Sequence, residues 1–154
     1  MELVRPKVIA DGVQTMDEMR RAFNEKNLEK GVLPIEDDAL FAFACEHQGY
    51  AKDAAPPAGT TILLAEFSER TSGGYFDDVT DAVPQKTIEY INNAAKVSGL
   101  PVVGFDVISR DITNADEPLT FLEANTAPFI EIHHIPYGGE PRNVAGAVWD
   151  EWFI

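Results

Sequence analysis

The chain carries one cysteine, three histidines and only twelve basic residues against twenty-six acidic ones. Each shortage closes a class of function. A lone Cys45 cannot form an internal disulfide, which fits a reducing, cytoplasmic setting. His133 and His134 are adjacent and would face opposite ways in extended chain, and with only His47 besides, a zinc site is not expected. A net charge of −14 and a pI near 4.4 repel polyanions, so neither nucleic acid nor an acidic membrane surface is an expected partner. No apolar run approaches the roughly 20 residues that cross a bilayer. The N-terminal MELVRPKVIADG lacks the apolar centre and small-residue cleavage site of a secretory signal. Neither a Walker A motif nor GxGxxG occurs, and there is no internal repeat or low-complexity tract.

What is present suits a packed domain. With 154 residues and 45% hydrophobic content, one core and one domain are expected over 1–154. Val4 to Ile9 reads as a strand ending at the Ala10-Asp11-Gly12 turn. Thr15 can then cap a helix whose Met16, Met19 and Phe23 share one face, opening a helical insertion over about 15–50. Glu36 to Gln48 reads as a second helix closed by Gly49, with Leu40, Phe43 and Ala44 facing inward. Thr60 to Phe67 is a strand, and the stretch from Ser68 to Val83 is a loop. Pro84 opens a helix through Val97 with Ile88, Ile91 and Ala95 as its buried stripe. Val102 to Ser109 and Leu119 to Asn125 are strands, and Asn143 to Phe153 is a final helix with Val144, Val148 and Trp149 on one side. The pattern is α+β, a mainly antiparallel sheet with helices packed on it.

Two strands contain polar residues where a core strand should not. In FLEANTAP, Glu123 and Asn125 point to one face while Leu122 and Ala124 point to the other. In VVGFDVIS, Asp106 interrupts an apolar run in the same manner. Counting outward from a turn centred near residues 113 and 114 puts Asp106 opposite residue 121 within one or two positions. Glu123 is then across or diagonal, about 5 Å away. Three oxygen donors on one face suit a hard divalent cation, Mg²⁺ above all, which shares its ligands with substrate phosphates. The plainer alternative is strand-end polar residues facing water, and a carboxylate pair can also do acid–base work. Ser72-Gly73-Gly74 offers backbone N–H groups that can approach an anion, although a double glycine also serves simply as a turn. Arg5 and Arg142 are candidate phosphate contacts.

Spread in order along almost the whole chain are VIADGVQT, PIEDDALFAFACEHQGYAKDAAPPAGTTILL, SGGYFDDVTD, VVGFDVISRDI, FLEANTAP and HHIPYGGEPRNVA. Through these the chain resembles the C-terminal half of an ATP-grasp ligase, most similar to that domain in cyanophycin synthetases and in bifunctional glutamate–cysteine ligase/glutathione synthetases. The resemblance implies an ATP-dependent carboxylate–amine ligase in which ATP phosphorylates a carboxylate and an amine attacks the acyl phosphate. It implies Mg²⁺ (or Mn²⁺) and ATP as cofactors and an amino acid or peptide as substrate. By position it makes Asp106, Glu123 and Asn125 metal ligands, His133 and Arg142 catalytic residues, and Ser72, Gly73 and Gly74 a loop near the substrates.

The resemblance breaks ahead of the glycine loop. Where the family reads roughly L-R-E-N-A-N, this chain has Leu64-Ala65-Glu66-Phe67-Ser68-Glu69. The phosphate-facing arginine is Ala65, and two asparagines are Phe67 and Glu69. Loss of a cation where negative charge develops is expected to cost several powers of ten in rate unless another group such as Arg70 substitutes. A family glycine is Phe129 and a family arginine is Glu131. The family's adenine clamp and phosphate-holding lysines precede the segment matched here. The expectation is therefore half of an ATP cleft, a fragment needing that N-terminal half, a partner chain or a homo-oligomer. The alternative is a non-catalytic, degenerate ATP-grasp module for protein binding or assembly.

Overall fold

A computed structural model describes residues 1–153. Its contacts divide the chain into two compact units, Glu2–Asp77 and the part from Asp78 onward, which includes Met1.

The first unit runs β1 (Glu2–Val4), β2 (Lys7–Ile9), α1 (Met16–Leu28), α2 (Asp38–His47), β3 (Thr61–Leu63) and β4 (Tyr75–Asp77). The expected strand over residues 4–9 is broken at Arg5-Pro6. β1 pairs antiparallel with β4, and β2 pairs antiparallel with β3. Pro6 has no N–H to give a ladder, and its ring is fully buried, so the chain changes partner there. The α1 start forms as expected: the Thr15 side chain accepts the Glu18 N–H, and Glu18 returns a carboxylate to the Thr15 N–H in a capping box. Asp37 caps α2 by accepting from Ala39 and Leu40. Met16, Met19, Phe23, Phe41, Ala44, Cys45, Ile62 and Leu64 form the core. Full burial of one such large side chain is worth about 1.5–3 kcal/mol. On α2 the buried set is Phe41, Ala44 and Cys45, one position on from the expected Leu40 and Phe43, which are exposed. Arg20 lies over the Phe41 ring at 4.5 Å, and this covers the aromatic with a cation held by Asp17 and Asp38.

The second unit runs α3 (Gln85–Ser98), β5 (Gly104–Ile108), β6 (Thr120–Asn125), α4 (Glu131–His134) and α5 (Val144–Phe153). α3 ends at Gly99, whose φ of +67° supplies the left-handed cap. The expected stripe Ile88, Ile91 and Ala95 is only half-buried. Among the described residues every buried hydrophobic side chain belongs to the first unit; in the second, Trp149, Trp152, Phe153, Ile108 and Leu122 are all more than half exposed. The fold is α+β as expected, with the antiparallel pairing among the described residues distributed over three two-stranded ladders. No helix among the described residues is long and apolar enough to cross a membrane.

Candidate functional site

β5 and β6 place Asp106 directly opposite Glu123. Gly104 faces Asn125 and Phe105 faces Ala124, after which the register shifts so that Val107 faces Phe121. The shift gives β6 one extra residue, Leu122, a bulge of the kind that re-aims side chains beside functional sites. The opposite face is held by aromatics. Phe105 meets Phe121 edge-on with ring centroids 5.1 Å apart, and Tyr90 of α3 lies 5.9 Å from Phe121. Apolar contact on one face therefore leaves the carboxylates on the other. A side chain at Gly104 would come within 2.6 Å of the Pro128 ring, so the turn after Asn125 closes tightly over the start of β5.

The donor set is electrostatically poised. The Asn125 amide donates to Glu123 Oε1 at 2.9 Å. That hydrogen bond, with another from Asp106, holds the Glu123 carboxyl below its usual range. Partial desolvation, followed by the facing Glu123, pushes the Asp106 carboxyl up. Two opposed carboxyls sharing a proton resist joint ionisation, and a divalent cation removes that resistance by supplying positive charge between them. Asn125, whose amide N–H is spent on Glu123, adds a neutral carbonyl oxygen. No group of three or more His, Cys, Asp or Glu side chains that could hold a metal occurs among the described residues. Two carboxylates and one amide oxygen fit a hard cation that takes its remaining ligands from water or phosphate.

His133 and His134 lie on α4 rather than in extended chain, so their side chains are not opposed as expected. Burial holds the His133 imidazole below its usual range, with Asp78 acting in the other direction. His134 Nε2 accepts the Ala145 N–H at 3.1 Å, serving the start of α5. Arg142 is engaged through two of its donors. Its Nε donates to Asp78 at 2.7 Å and its Nη2 to Asp81 at 2.8 Å, which raise its basicity further. Burial pushes the Asp78 carboxyl up, but hydrogen bonds from Thr80 and Arg142 outweigh it and hold the pKa at about 2. Asp78 was not singled out from the sequence, where it is one acidic residue among many; what marks it is burial.

In the first unit, Ser72 and Gly73 belong to a tight turn whose N–H groups are used internally. Ser72 and Gly74 donate to the Glu69 carbonyl at 3.2 and 2.9 Å, and Gly73 donates to that of Arg70 at 3.2 Å. The Ser72 hydroxyl donates to Glu69 Oε1 at 2.8 Å. Gly73 has φ +78°, and a Cβ there would lie 2.6 Å from Ile35 Cγ1. In this arrangement the loop offers no free N–H nest to an anion; it is a buried turn that only glycine can close. Ala65, at the position of the family arginine, is buried, Phe67 is exposed, and Glu66 pairs with His47 at 3.1 Å. Arg5 donates to the Glu66 carbonyl at 3.2 Å.

No protein-family model matches the chain. It is 32% identical over 159 aligned positions to the cyanophycin synthetase of Trichormus variabilis, a match covering 99% of this chain and 18% of that protein. Similarity to the cyanophycin synthetase of Synechocystis sp. is 35% over 113 positions, covering 70% and 13% respectively. The glutathione biosynthesis bifunctional protein of Mannheimia succiniciproducens is 29% identical over 96% of the chain. In fold, the chain superposes on the bifunctional glutathione synthetase of Pasteurella multocida with a TM-score of 0.77 at 24% identity, covering 95% of this chain and 21% of that one. The chain thus spans about a fifth of the length of the curated relatives it matches.

Proposed function

We propose that this chain, similar in sequence and fold to the ATP-grasp ligases, is the Mg²⁺-bearing part of an ATP-dependent carboxylate–amine ligase. The reaction would join an amino acid or peptide through an amide bond by way of an acyl phosphate. The observation that carries the reading is the direct pairing of Asp106 with Glu123 across β5 and β6, with Asn125 hydrogen-bonded to the same carboxylate. These three residues would hold Mg²⁺ or Mn²⁺, which when bound neutralises phosphate charge and orients ATP. His133, whose imidazole burial holds below its usual range, would be the catalytic histidine that the resemblance implies. Arg142 is tied to it by a backbone hydrogen bond, and Ser72, Gly73 and Gly74 contribute a rigid buried turn. The nucleotide clamp would come from further polypeptide, in the same protein or in a partner, and the lone buried Cys45 suits a cytoplasmic setting.

The test is thermal unfolding with millimolar Mg²⁺ or Mn²⁺ and ADP or an ATP analogue. A ligand that binds only the folded state stabilises it by linkage, by about 2.7 kcal/mol at a hundred times its Kd, and so raises the melting temperature. Asp106→Ala and Glu123→Ala should each abolish the shift. No shift in the parent protein would rule out nucleotide binding by the chain alone.

A second reading, a non-catalytic assembly module, draws on different observations: the alanine at the family's arginine position, the exposed Phe67 and the fully engaged N–H groups of the glycine turn. A stable oligomer by size exclusion with light scattering, together with no nucleotide response, would favour it.

A further inference from the structure

We infer that Asp78 and Asp81 are positioning residues that act through Arg142, and that Arg142 holds the 133–144 segment in place rather than contacting phosphate. The inference rests on the ligase reading only in taking His133 as the group that needs placing.

Asp78 sits at the meeting point of two distant stretches. Its side chain has no exposed surface. One carboxylate oxygen accepts the Thr80 N–H at 2.7 Å, and the other accepts the Arg142 Nε–H at 2.7 Å. Its backbone N–H donates to the Gly138 carbonyl at 2.8 Å. Gly139 has φ +84°, and a Cβ there would lie 2.9 Å from that of Asp78, so the approach requires glycine. Asp81, mostly exposed, takes Nη2 of the same guanidinium. The backbone N–H of Arg142 donates to the His133 carbonyl at 2.7 Å, and the Arg142 carbonyl accepts from Val144 at 2.9 Å. A chain of bonds therefore runs from Asp78 through Arg142 to His133 and on to the start of α5, closing a loop across α3, β5 and β6.

Charge points the same way. Two carboxylates face one guanidinium, so the cluster carries a net negative charge and opposes a further anion. A planar guanidinium gripped on Nε and Nη2 is fixed in orientation, as lysine would not be. Nε and Nη2 of the guanidinium are thus engaged within the fold.

The experiment compares the whole chain with Asp78→Asn, Asp81→Asn, Arg142→Lys and the double variant Asp78→Asn/Arg142→Lys. Three readouts are followed: the Arg142 Nε–H signal by NMR, the His133 imidazole titration, and tryptic cleavage after residue 142. The titratable groups that act on His133 are Asp78, His134 and the Met1 amino group, and Arg142 reaches it through the backbone bond to the His133 carbonyl. Asp78→Asn should broaden or remove the Arg142 signal. Arg142→Lys should move the His133 midpoint upward as burial is lost; in Asp78→Asn the lost Asp78 charge, which raises the midpoint, opposes that rise, so its shift should be smaller. Each variant should speed cleavage about tenfold by raising the open population, and in cleavage the double variant should add nothing to either single one. Should Asp78→Asn fail to fold, Asp81→Asn, which leaves the buried bond intact, is expected to give the same changes at smaller size. Additive effects of Asp78→Asn and Arg142→Lys on cleavage would overturn the inference. So would an Arg142→Lys protein with unchanged His133 titration and cleavage that has lost its Mg·ATP melting shift, since Arg142 would then be a ligand contact. If the parent protein shows no Mg·ATP shift but the clamp readouts behave as expected, nucleotide binding by the chain alone fails and the clamp stands.

Discussion

Replacing Asp78 by asparagine should cost roughly 2 kcal/mol at pH 7, and the cost should fade in acid. The Asp78 carboxyl is held at about 2 against an ordinary 3.8, a depression of nearly two units at about 1.4 kcal/mol each. Its side chain has no exposed surface, so solvent screens the interaction little. A depressed carboxyl stabilises the fold above its unfolded pKa, and that stability drains away as pH falls through the folded value. The contribution is thus full at pH 5 to 7, about half by pH 3 and nearly gone below pH 2. Asparagine keeps the size and one acceptor but not the charge, so it should lose the pH-dependent part. Urea unfolding followed by far-UV circular dichroism at pH 7, 5 and 3 measures this. With a slope of about 1–2 kcal/mol per molar, the midpoint of Asp78→Asn should drop by roughly 1–2 M at pH 7 and by about half that at pH 3. A gap of equal size at pH 7 and pH 3 would show that the cost is lost packing, and no gap at pH 7 would show that the ion pair does not stabilise the fold.

Without divalent ions, the raised Asp106 carboxyl favours the fold at low pH and loses that advantage as pH rises through its folded pKa. Asp106→Asn should therefore flatten this part of the stability profile in pH-jump melting curves while removing any Mg²⁺ response. Gly73→Ala should destabilise by about 1–3 kcal/mol, because it combines a left-handed backbone with a Cβ 2.6 Å from Ile35 Cγ1; an unchanged urea midpoint would contradict that packing. Phe41→Ala should cost about 3–5 kcal/mol, the range for emptying a closed aromatic site. Trp149→Ala, at a position 62% exposed, should stay within about 0.5 kcal/mol. Equal costs for the two would mean that the second unit buries its helix in solution.

The facing of Asp106 and Glu123 is legible in the sequence because strand alternation is a period-two rule that needs only spacing. Glu123 and Asn125 share a face wherever β6 pairs, and a turn near residues 113 and 114 brings β5 back within reach. The bulge was not legible: one extra residue at Leu122 changes which pairs face each other, and it is set by packing of Phe105 and Phe121 against Tyr90. The break at Pro6 was missed for a related reason. Proline forbids a ladder bond locally, but only the positions of β3 and β4 show that two different strands wait on either side. On α2 the pattern allowed neighbouring apolar stripes, and contact with Arg20 and the core selected Phe41 over Leu40 and Phe43.

The chain's own order of residues determined the caps at Thr15 and Asp37, the glycine stop at Gly99, the acidic surface and the three oxygen donors, since each depends on interactions within a few residues or on composition. The tertiary structure decided which polar groups remain available. Arg142 and the Ser72-Gly73-Gly74 turn read as ligand contacts by position, yet Nε and Nη2 of Arg142 are engaged by Asp78 and Asp81, and the N–H groups of the turn by Glu69 and Arg70. Some of these partners lie more than sixty residues away, and hydrogen-bonding capacity is finite, so only the folded contacts show whether a donor is free to meet a ligand.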